Sequence, residues 1–224
     1  MGKLFIVPTP IGNLEDITFR AIKTLKNVDL ILCEDTRVTS KLLKFYDIST
    51  PTKSYHQHNE HSKTKYFISL LINKKNIALV SDAGTPGISD PGFLLIRESI
   101  LNQISIECLP GATALIPALV KSGFPCDRFI FEGFLPLKKG KNKKIEKIAT
   151  NRNTTIIYES PHRILKTLQL MLYYLHDREI AIVKEISKIH ETIYRGKIKN
   201  IIKEIEKSTI KGEFVIIIKG NEVT

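Results

Sequence analysis

Two carboxylates in a stretch otherwise built of bend-forming residues mark the first place in this chain where chemistry could sit. The stretch runs Ser81-Asp82-Ala83-Gly84-Thr85-Pro86-Gly87-Ile88-Ser89-Asp90-Pro91-Gly92. Its glycines let the main chain approach a ligand closely, and its prolines stiffen the turns. It contains no Lys or Arg, lacks the Lys-Ser/Thr ending of a P-loop and does not spell the dinucleotide fingerprint. Asp82 and Asp90 would repel a polyphosphate and suit a ligand that carries positive charge. S-adenosylmethionine, with a sulfonium and an ammonium group, meets that requirement. Gly, Pro, Asp and Ser also build ordinary connecting turns, but this run is longer than the roughly two to six residues usual between a strand and a helix. It reads as a ligand loop.

Three further polar groups follow apolar runs in the same way. Glu34-Asp35-Thr36-Arg37 comes after Val28–Cys33, Glu159-Ser160-Pro161-His162-Arg163 after Thr154–Tyr158, and Lys184-Glu185, with Lys188 beyond, after Glu179–Val183. The segment Tyr55-His56-Gln57-His58-Asn59-Glu60-His61 tempts a metal reading. Nothing in it fixes the Cys or carboxylate ligands, the spacing or the supporting shell that metal sites add. It is expected to be a polar helix start or a substrate loop, with no metal ion.

The elements that must position these groups are legible from periodicity. Apolar runs at Leu4–Val7, Val28–Cys33, Asn76–Val80 and Ile104–Leu109 predict buried strands. Helical spacing is expected from a Thr18 cap to about Asn27, around Ser40–Phe45, through Leu71-Ile72, over Phe93–Leu101 and over Ala114–Lys121. Alternation of this kind predicts an α/β fold with a mostly parallel N-terminal sheet. The polar groups then stand at strand carboxyl ends, where ligands of open α/β sheets bind. Pro8-Thr9-Pro10-Ile11-Gly12-Asn13 ends the first strand, and Pro110-Gly111-Ala112-Thr113 ends the strand before the Ala114 helix. Read alone, the second of these is equally a plain tight turn.

Gly123-Phe124-Pro125 breaks the Ala114–Lys121 helix, and two domains are expected, residues 1–118 and 119–224. In the second, strands are expected at Arg128–Phe134, Thr154–Tyr158, Glu179–Val183, Glu191–Gly196 and Gly212–Ile218, with helices at Ile164–Leu175 and Ile198–Glu206.

With 42% hydrophobic and 25% charged residues the chain can bury a core, and its apolar runs fall far short of the roughly 20 residues a membrane-spanning helix needs. The N-terminus does not read as a signal peptide. Cys33, Cys108 and Cys126 are expected to be small core residues in a reducing cytosol. The net charge of +11 is uneven: residues 1–115 hold 13 Lys+Arg against 11 Asp+Glu, and residues 116–224 hold 21 against 12. Such asymmetry points the second half toward a polyanion. Codon drift in an AT-rich genome accounts for Lys over Arg, 26 to 8, more readily than for the asymmetry. Lys138-Lys139-Gly140-Lys141-Asn142-Lys143-Lys144 is the densest basic run, either solvated surface or a mobile loop able to grip phosphates.

Taken in order, these motifs resemble the ribosomal RNA small-subunit methyltransferase I family of the tetrapyrrole-methylase superfamily. The resemblance rests on Val7–Thr18, Cys33-Glu34-Asp35-Thr36-Arg37, His58-Asn59-Glu60, Ser81–Gly92 and Pro110-Gly111-Ala112. It continues through Phe131-Glu132-Gly133-Phe134, Tyr158–Arg163 and Gly212-Glu213-Phe214, and so spans essentially the whole chain. It implies two α/β domains, the C-terminal sheet mixed, with S-adenosylmethionine in a cleft between them and a homodimer as the usual assembly. It also implies 2′-O-methylation of a cytidine ribose in the decoding region of small-subunit rRNA. Tetrapyrrole-modifying relatives show a Gly-Pro-Gly-Asp type turn after the first strand, whereas Thr9-Pro10-Ile11-Gly12-Asn13 favours the RNA branch. Many relatives continue past the Gly212–Gly220 strand, and this chain stops at Thr224, which bears on auxiliary RNA contacts.

On this reading Pro10, Ile11, Ser81, Asp82, Ala83, Gly84, Thr85, Gly111, Ala112 and Thr113 hold the cofactor, with Tyr158 closing from the second domain. Glu34, Asp35, Glu159 and Glu185 are candidate acceptors for the ribose proton, the Glu34/Asp35 pair and Glu159 favoured, with Arg37 beside them. Lys138, Lys139, Lys141, Lys143, Lys144, Arg163, Lys184 and Lys188 are the expected phosphate contacts. For each charged residue a surface or domain-interface salt bridge is the plain alternative.

Overall fold

The structure, a computed structural model, describes residues 1–221. The chain divides into two compact units, Met1–Thr113 and Ala114–Thr224. This differs from the 118/119 boundary expected from the sequence. Helix Leu115–Ser122 packs against two strands of the second sheet, so it belongs with that unit.

In the first unit, strands β1 (Lys3–Ile6), β2 (Leu30–Cys33), β3 (Thr52–Ser54), β4 (Ile77–Leu79) and β5 (Ser105–Cys108) form one sheet in the order β3-β2-β4-β1-β5. Every pairing in it is parallel. All strand carboxyl ends therefore lie along one edge. Helices α1 (Phe19–Asn27), α2 (Thr36–Phe45), α3 (Glu60–Ile72) and α4 (Phe93–Leu101) connect them. Alternate side chains of a strand point to opposite faces. Leu30 and Leu32 accordingly join a core with Phe67, Leu71 and Leu95, while Ile31 and Cys33 join another with Ala21, Leu25 and Leu43. Burial on both faces is why these strands read as continuous apolar runs. Thr18 caps α1 as expected, its hydroxyl accepting from Ala21 N–H at 3.0 Å.

The second unit begins with α5 (Leu115–Ser122) and carries β6 (Phe129–Phe134), α6 (Lys141–Ala149), β7 (Thr154–Glu159), α7 (Ile164–Leu175), β8 (Glu179–Lys184), β9 (Thr192–Lys197), α8 (Ile198–Glu206) and β10 (Phe214–Ile218). Its sheet order is β6-β7-β10-β8-β9, with β6 and β7 parallel and the other neighbours antiparallel. This is a mixed sheet. Ile157, Ile182 and Ile216 pack against Ile145, Leu168, Ile201 and Ile205 of α6, α7 and α8.

Two expectations need correction. Cys33 is buried, but Cys108 and Cys126 are exposed. Cys108 ends β5, the edge strand of its sheet, so its apolar sequence neighbours do not bury it. The basic run is not one loop: Gly140 takes φ +91° and α6 starts at Lys141, so Lys141, Lys143 and Lys144 are helical.

Candidate functional site

Three turns at the carboxyl edge of the first sheet are stitched into one surface. Thr9 N–H donates to the Gly84 carbonyl at 2.9 Å, and Gly84 N–H returns a bond to the Thr9 carbonyl at 3.0 Å. The Thr9 hydroxyl donates to the Ser81 carbonyl at 3.0 Å, and the Ser81 hydroxyl to the Gly84 carbonyl at 3.1 Å. Thr85 Oγ1 donates to the Ala112 carbonyl at 2.9 Å, which ties in the turn after β5. Gly84 has φ +86°, a left-handed conformation that favours glycine. At Gly111 a Cβ would lie 2.6 Å from Pro8 Cβ, so the two turns can approach this closely only if residue 111 has no side chain. The predicted cofactor residues Pro10, Ile11, Ser81, Asp82, Ala83, Gly84, Thr85, Gly111, Ala112 and Thr113 thus come together. Thr9 joins them although the sequence did not single it out.

Acidic groups stand beside this surface. Asp82 Oδ1 accepts the Asp35 N–H at 3.1 Å, linking the tips of β4 and β2. Burial first, and then the charge of Asp35, raise the Asp82 pKa above the ordinary value. Glu34 is half-buried, and burial followed by the charge of Asp82 raises its pKa as well. Asp35 behaves in the opposite way. Its carboxylate caps α2 by accepting Arg37 N–H at 2.8 Å and grips the Arg37 guanidinium at 2.6–3.2 Å. That partnership lowers its pKa to about 2. A carboxylate held so acidic is a poor proton acceptor at neutral pH. Glu34 is the better placed of the pair.

Against this surface lies a pocket of about 300 Å³ that the sequence does not reveal. Thr9, Pro10, Gly12, Leu14, Ser81 and Asp82 line one side, and Val38, Thr39, Lys41, Leu42 and Phe45 of α2 line the other. The helical spacing of those α2 residues is the one signal the sequence offers, and it looks the same for any amphipathic helix.

The histidine segment forms the start of α3. The Asn59 side-chain carbonyl accepts His56 N–H at 2.9 Å, and its amide donates to His56 Nε2 at 3.0 Å.

Within the second unit, Tyr158 is half-buried at the end of β7, its ring edge-on to Phe131 at 5.0 Å and Phe134 at 5.7 Å. Glu159, one of the expected proton acceptors, is enclosed. Its side chain is 0% exposed. One oxygen accepts Ser160 N–H at 2.8 Å and lies 3.3 Å from Arg163 Nε, and the other accepts the Thr167 hydroxyl at 2.6 Å. Arg163 also donates to the Leu135 and Pro136 carbonyls, and Lys141 donates to Thr167 Oγ1 at 2.7 Å. Burial lowers the Lys141 pKa. These groups form a closed polar cluster that pins the Leu135-Pro136 segment to α7. Lys144 pairs with Glu132. Lys188 pairs with Glu185 at 2.8 Å and Glu213 at 3.0 Å. Burial opposes ionisation of Glu185, but Lys188 and the Glu213 N–H outweigh it and hold its pKa low. Lys184 donates to the Thr209 carbonyl. Of the predicted phosphate contacts, Lys138, Lys139 and Lys143 are the exposed ones.

A parallel sheet with glycine-bearing turns and raised carboxylates at one edge, joined in the chain to a mixed sheet, defines a small-molecule-binding α/β protein of two units. The tetrapyrrole (corrin/porphyrin) methylase family matches residues 3–202. The chain belongs to that family and is a methyltransferase with S-adenosylmethionine as its methyl donor. Its relatives include proteins named ribosomal RNA small subunit methyltransferase I. That of Halalkalibacterium halodurans is 48% identical over 98% of this chain and 76% of its own length. That of Thermotoga maritima is 45% identical over 99% of this chain and 100% of its own length. In fold, the chain is similar to a Thermus thermophilus uroporphyrin-III C-methyltransferase complexed with S-adenosyl homocysteine. The TM-score is 0.67 at 16% identity, over 96% of this chain and 97% of that one.

The residues present fit the methyl donor. The turns offer main-chain groups at close range, and Asp82 supplies a carboxylate that, among the described residues, has no lysine or arginine in a salt bridge with it. No helix among the described residues is long and apolar enough to cross a membrane.

Proposed function

We propose that the protein 2′-O-methylates a cytidine ribose in small-subunit ribosomal RNA, acting in the cytoplasm as a homodimer on the assembled 30S subunit. The observation that carries the reading is the acidic carboxyl edge of the first sheet in a chain nearly half identical to proteins named for that rRNA. S-adenosylmethionine supplies a methyl group already activated by its sulfonium. The chain has to hold two reactants in near-attack geometry, which is worth about 7–11 kcal/mol. Pro10, Ile11, Ser81–Thr85 and Gly111–Thr113 would hold the donor. Glu34 takes the ribose hydroxyl proton, a role its raised pKa suits. Asp35 and Arg37 fix the start of α2, and Glu159 orders the Leu135–Gly140 segment. Lys138, Lys139 and Lys143 meet phosphates in the first instance. Arg163, Lys141, Lys144, Lys184 and Lys188 join them only by exchanging their internal partners.

The test is transfer of tritium from labelled S-adenosylmethionine to unmodified small subunits, followed by mapping of the labelled nucleotide. Label on a cytidine 2′-oxygen of the small-subunit rRNA is expected. Label on another nucleotide or on protein would overturn the assignment.

A further inference from the structure

We infer that the pocket between the β1 turn and α2 receives the base of the nucleotide whose ribose is methylated, with Val38, Leu42 and Phe45 as its specificity-determining wall. The inference rests on the rRNA-methyltransferase reading above and names the acceptor side of the same site.

Position is the first ground. In the order β2-β4-β1-β5, the turns assigned to the methyl donor run from β4 through β1 to β5, joined by the Thr9–Gly84 and Thr85–Ala112 bonds. The pocket opens on the other flank, toward α2, which follows β2 directly. The two places share Thr9, Pro10, Ser81 and Asp82. An occupant of the pocket thus meets the donor turns at Asp82, whose carboxylate is bonded to the tip of β2 beside Glu34. That is where a methyl acceptor and its base must come together.

Chemistry is the second ground. Leu14, Val38, Leu42 and Phe45 give the pocket an apolar lining, and Lys41 adds a cation to it. Phe45 is 62% exposed. Its ring is braced edge-on by Tyr46 at 4.9 Å, and Tyr46 is held by its hydroxyl bond to the Leu14 carbonyl. An exposed, fixed aromatic ring is the platform on which unpaired bases stack. Thr39 is 3% exposed and its hydroxyl bonds the Cys33 thiol, so it packs behind the wall and does not face an occupant. Lys41 would face a neighbouring phosphate. About 300 Å³ is at the small end of ligand pockets and leaves room for a single base.

The experiment compares Phe45→Ala and Val38→Trp with the unaltered protein. Donor affinity is measured by calorimetry, and kcat/KM by methyl transfer to unmodified small subunits. Phe45→Ala removes the platform, and Val38→Trp fills the pocket from an exposed position. We expect donor affinity within about two-fold of the unaltered protein, and kcat/KM lowered about ten-fold or more for both variants, the scale of hydrophobic-pocket discrimination. Unchanged transfer would overturn the inference, as would a parallel loss of donor affinity, which would assign the pocket to the donor. Failure of the unaltered protein to methylate small subunits while binding the donor would instead overturn the rRNA reading.

Discussion

Glu159 separates a structural role from a chemical one most cleanly. Its carboxylate is sealed from solvent and engaged by Ser160 N–H, the Thr167 hydroxyl and the Arg163 guanidinium. Glu159→Ala strips the carboxylate from the cluster that holds Arg163 and Lys141 and opens a void. Breaking a buried pair from one side costs about 3–5 kcal/mol. For a chain of this length each kcal/mol moves the melting temperature by about 2–4 °C, so a fall on the order of 10 °C is expected. Glu159→Gln keeps the volume and an acceptor for Ser160 but loses the charge opposite Arg163. A hydrogen bond to a charged group contributes about 1.5–3 kcal/mol, so roughly half the effect should appear. Thermal melts of both variants, paired with single-turnover methyl transfer at a temperature where each stays folded, provide the assay. A Glu159→Gln protein that melts with the unaltered one while its transfer rate falls about 10²–10⁴-fold, the scale of general-base loss, would refute this and make Glu159 the base.

Glu34→Gln should lower single-turnover transfer by about 10²–10⁴-fold at saturating subunits. The carboxylate is the active form of Glu34, so protonation as pH falls through its raised pKa removes activity. The acid limb of the rate profile should lie above the ordinary glutamate value of 4.5 and vanish in the variant. Calorimetry with Asp82→Ala should show loss of most donor affinity in a protein that still melts cooperatively; unchanged affinity would remove Asp82 from the site. Gly111→Ala places a methyl 2.6 Å from Pro8 Cβ, so the overpacking cost of about 1–3 kcal/mol should appear in urea titrations together with weaker donor binding. Replacing Lys138, Lys139 and Lys143 by Ala should flatten the dependence of log affinity for small subunits on log salt by about 2, near 0.7 for each phosphate no longer neutralised; an unaltered slope would place the RNA elsewhere.

The carboxyl-edge turns are legible because each is an apolar run followed at once by Gly, Pro or acidic residues, as at Val80–Asp82 and Leu109–Gly111. Burial on both faces gives such strands an unbroken apolar signature that a short window can detect. Partnerships are not legible, because they depend on residues distant in sequence. Asp35 and Glu34 are adjacent in the chain, yet the helix starting at Thr36 turns one into a cap while partial burial beside Asp82 raises the pKa of the other. Glu159, Arg163 and Thr167 recur every four residues, a spacing that fits a closed cluster as well as an RNA-facing row; only the enclosure of Glu159 distinguishes them. Lys141 and Lys144 are indistinguishable from their neighbours in the basic run until α6 turns them toward Thr167 and Glu132.

The reciprocal bond pair between Thr9 and Gly84 is made of main-chain atoms alone, so it survives almost any change of side chain around it. Only the left-handed bend at Gly84 constrains which residue can stand in it. The seat proposed for the methyl donor is framed to that extent by main-chain atoms, whereas the face of α2 opposite is made of replaceable side chains. Redirecting such an enzyme toward a different acceptor should therefore require rewriting one helix of ten residues, with the donor's framework left as it is.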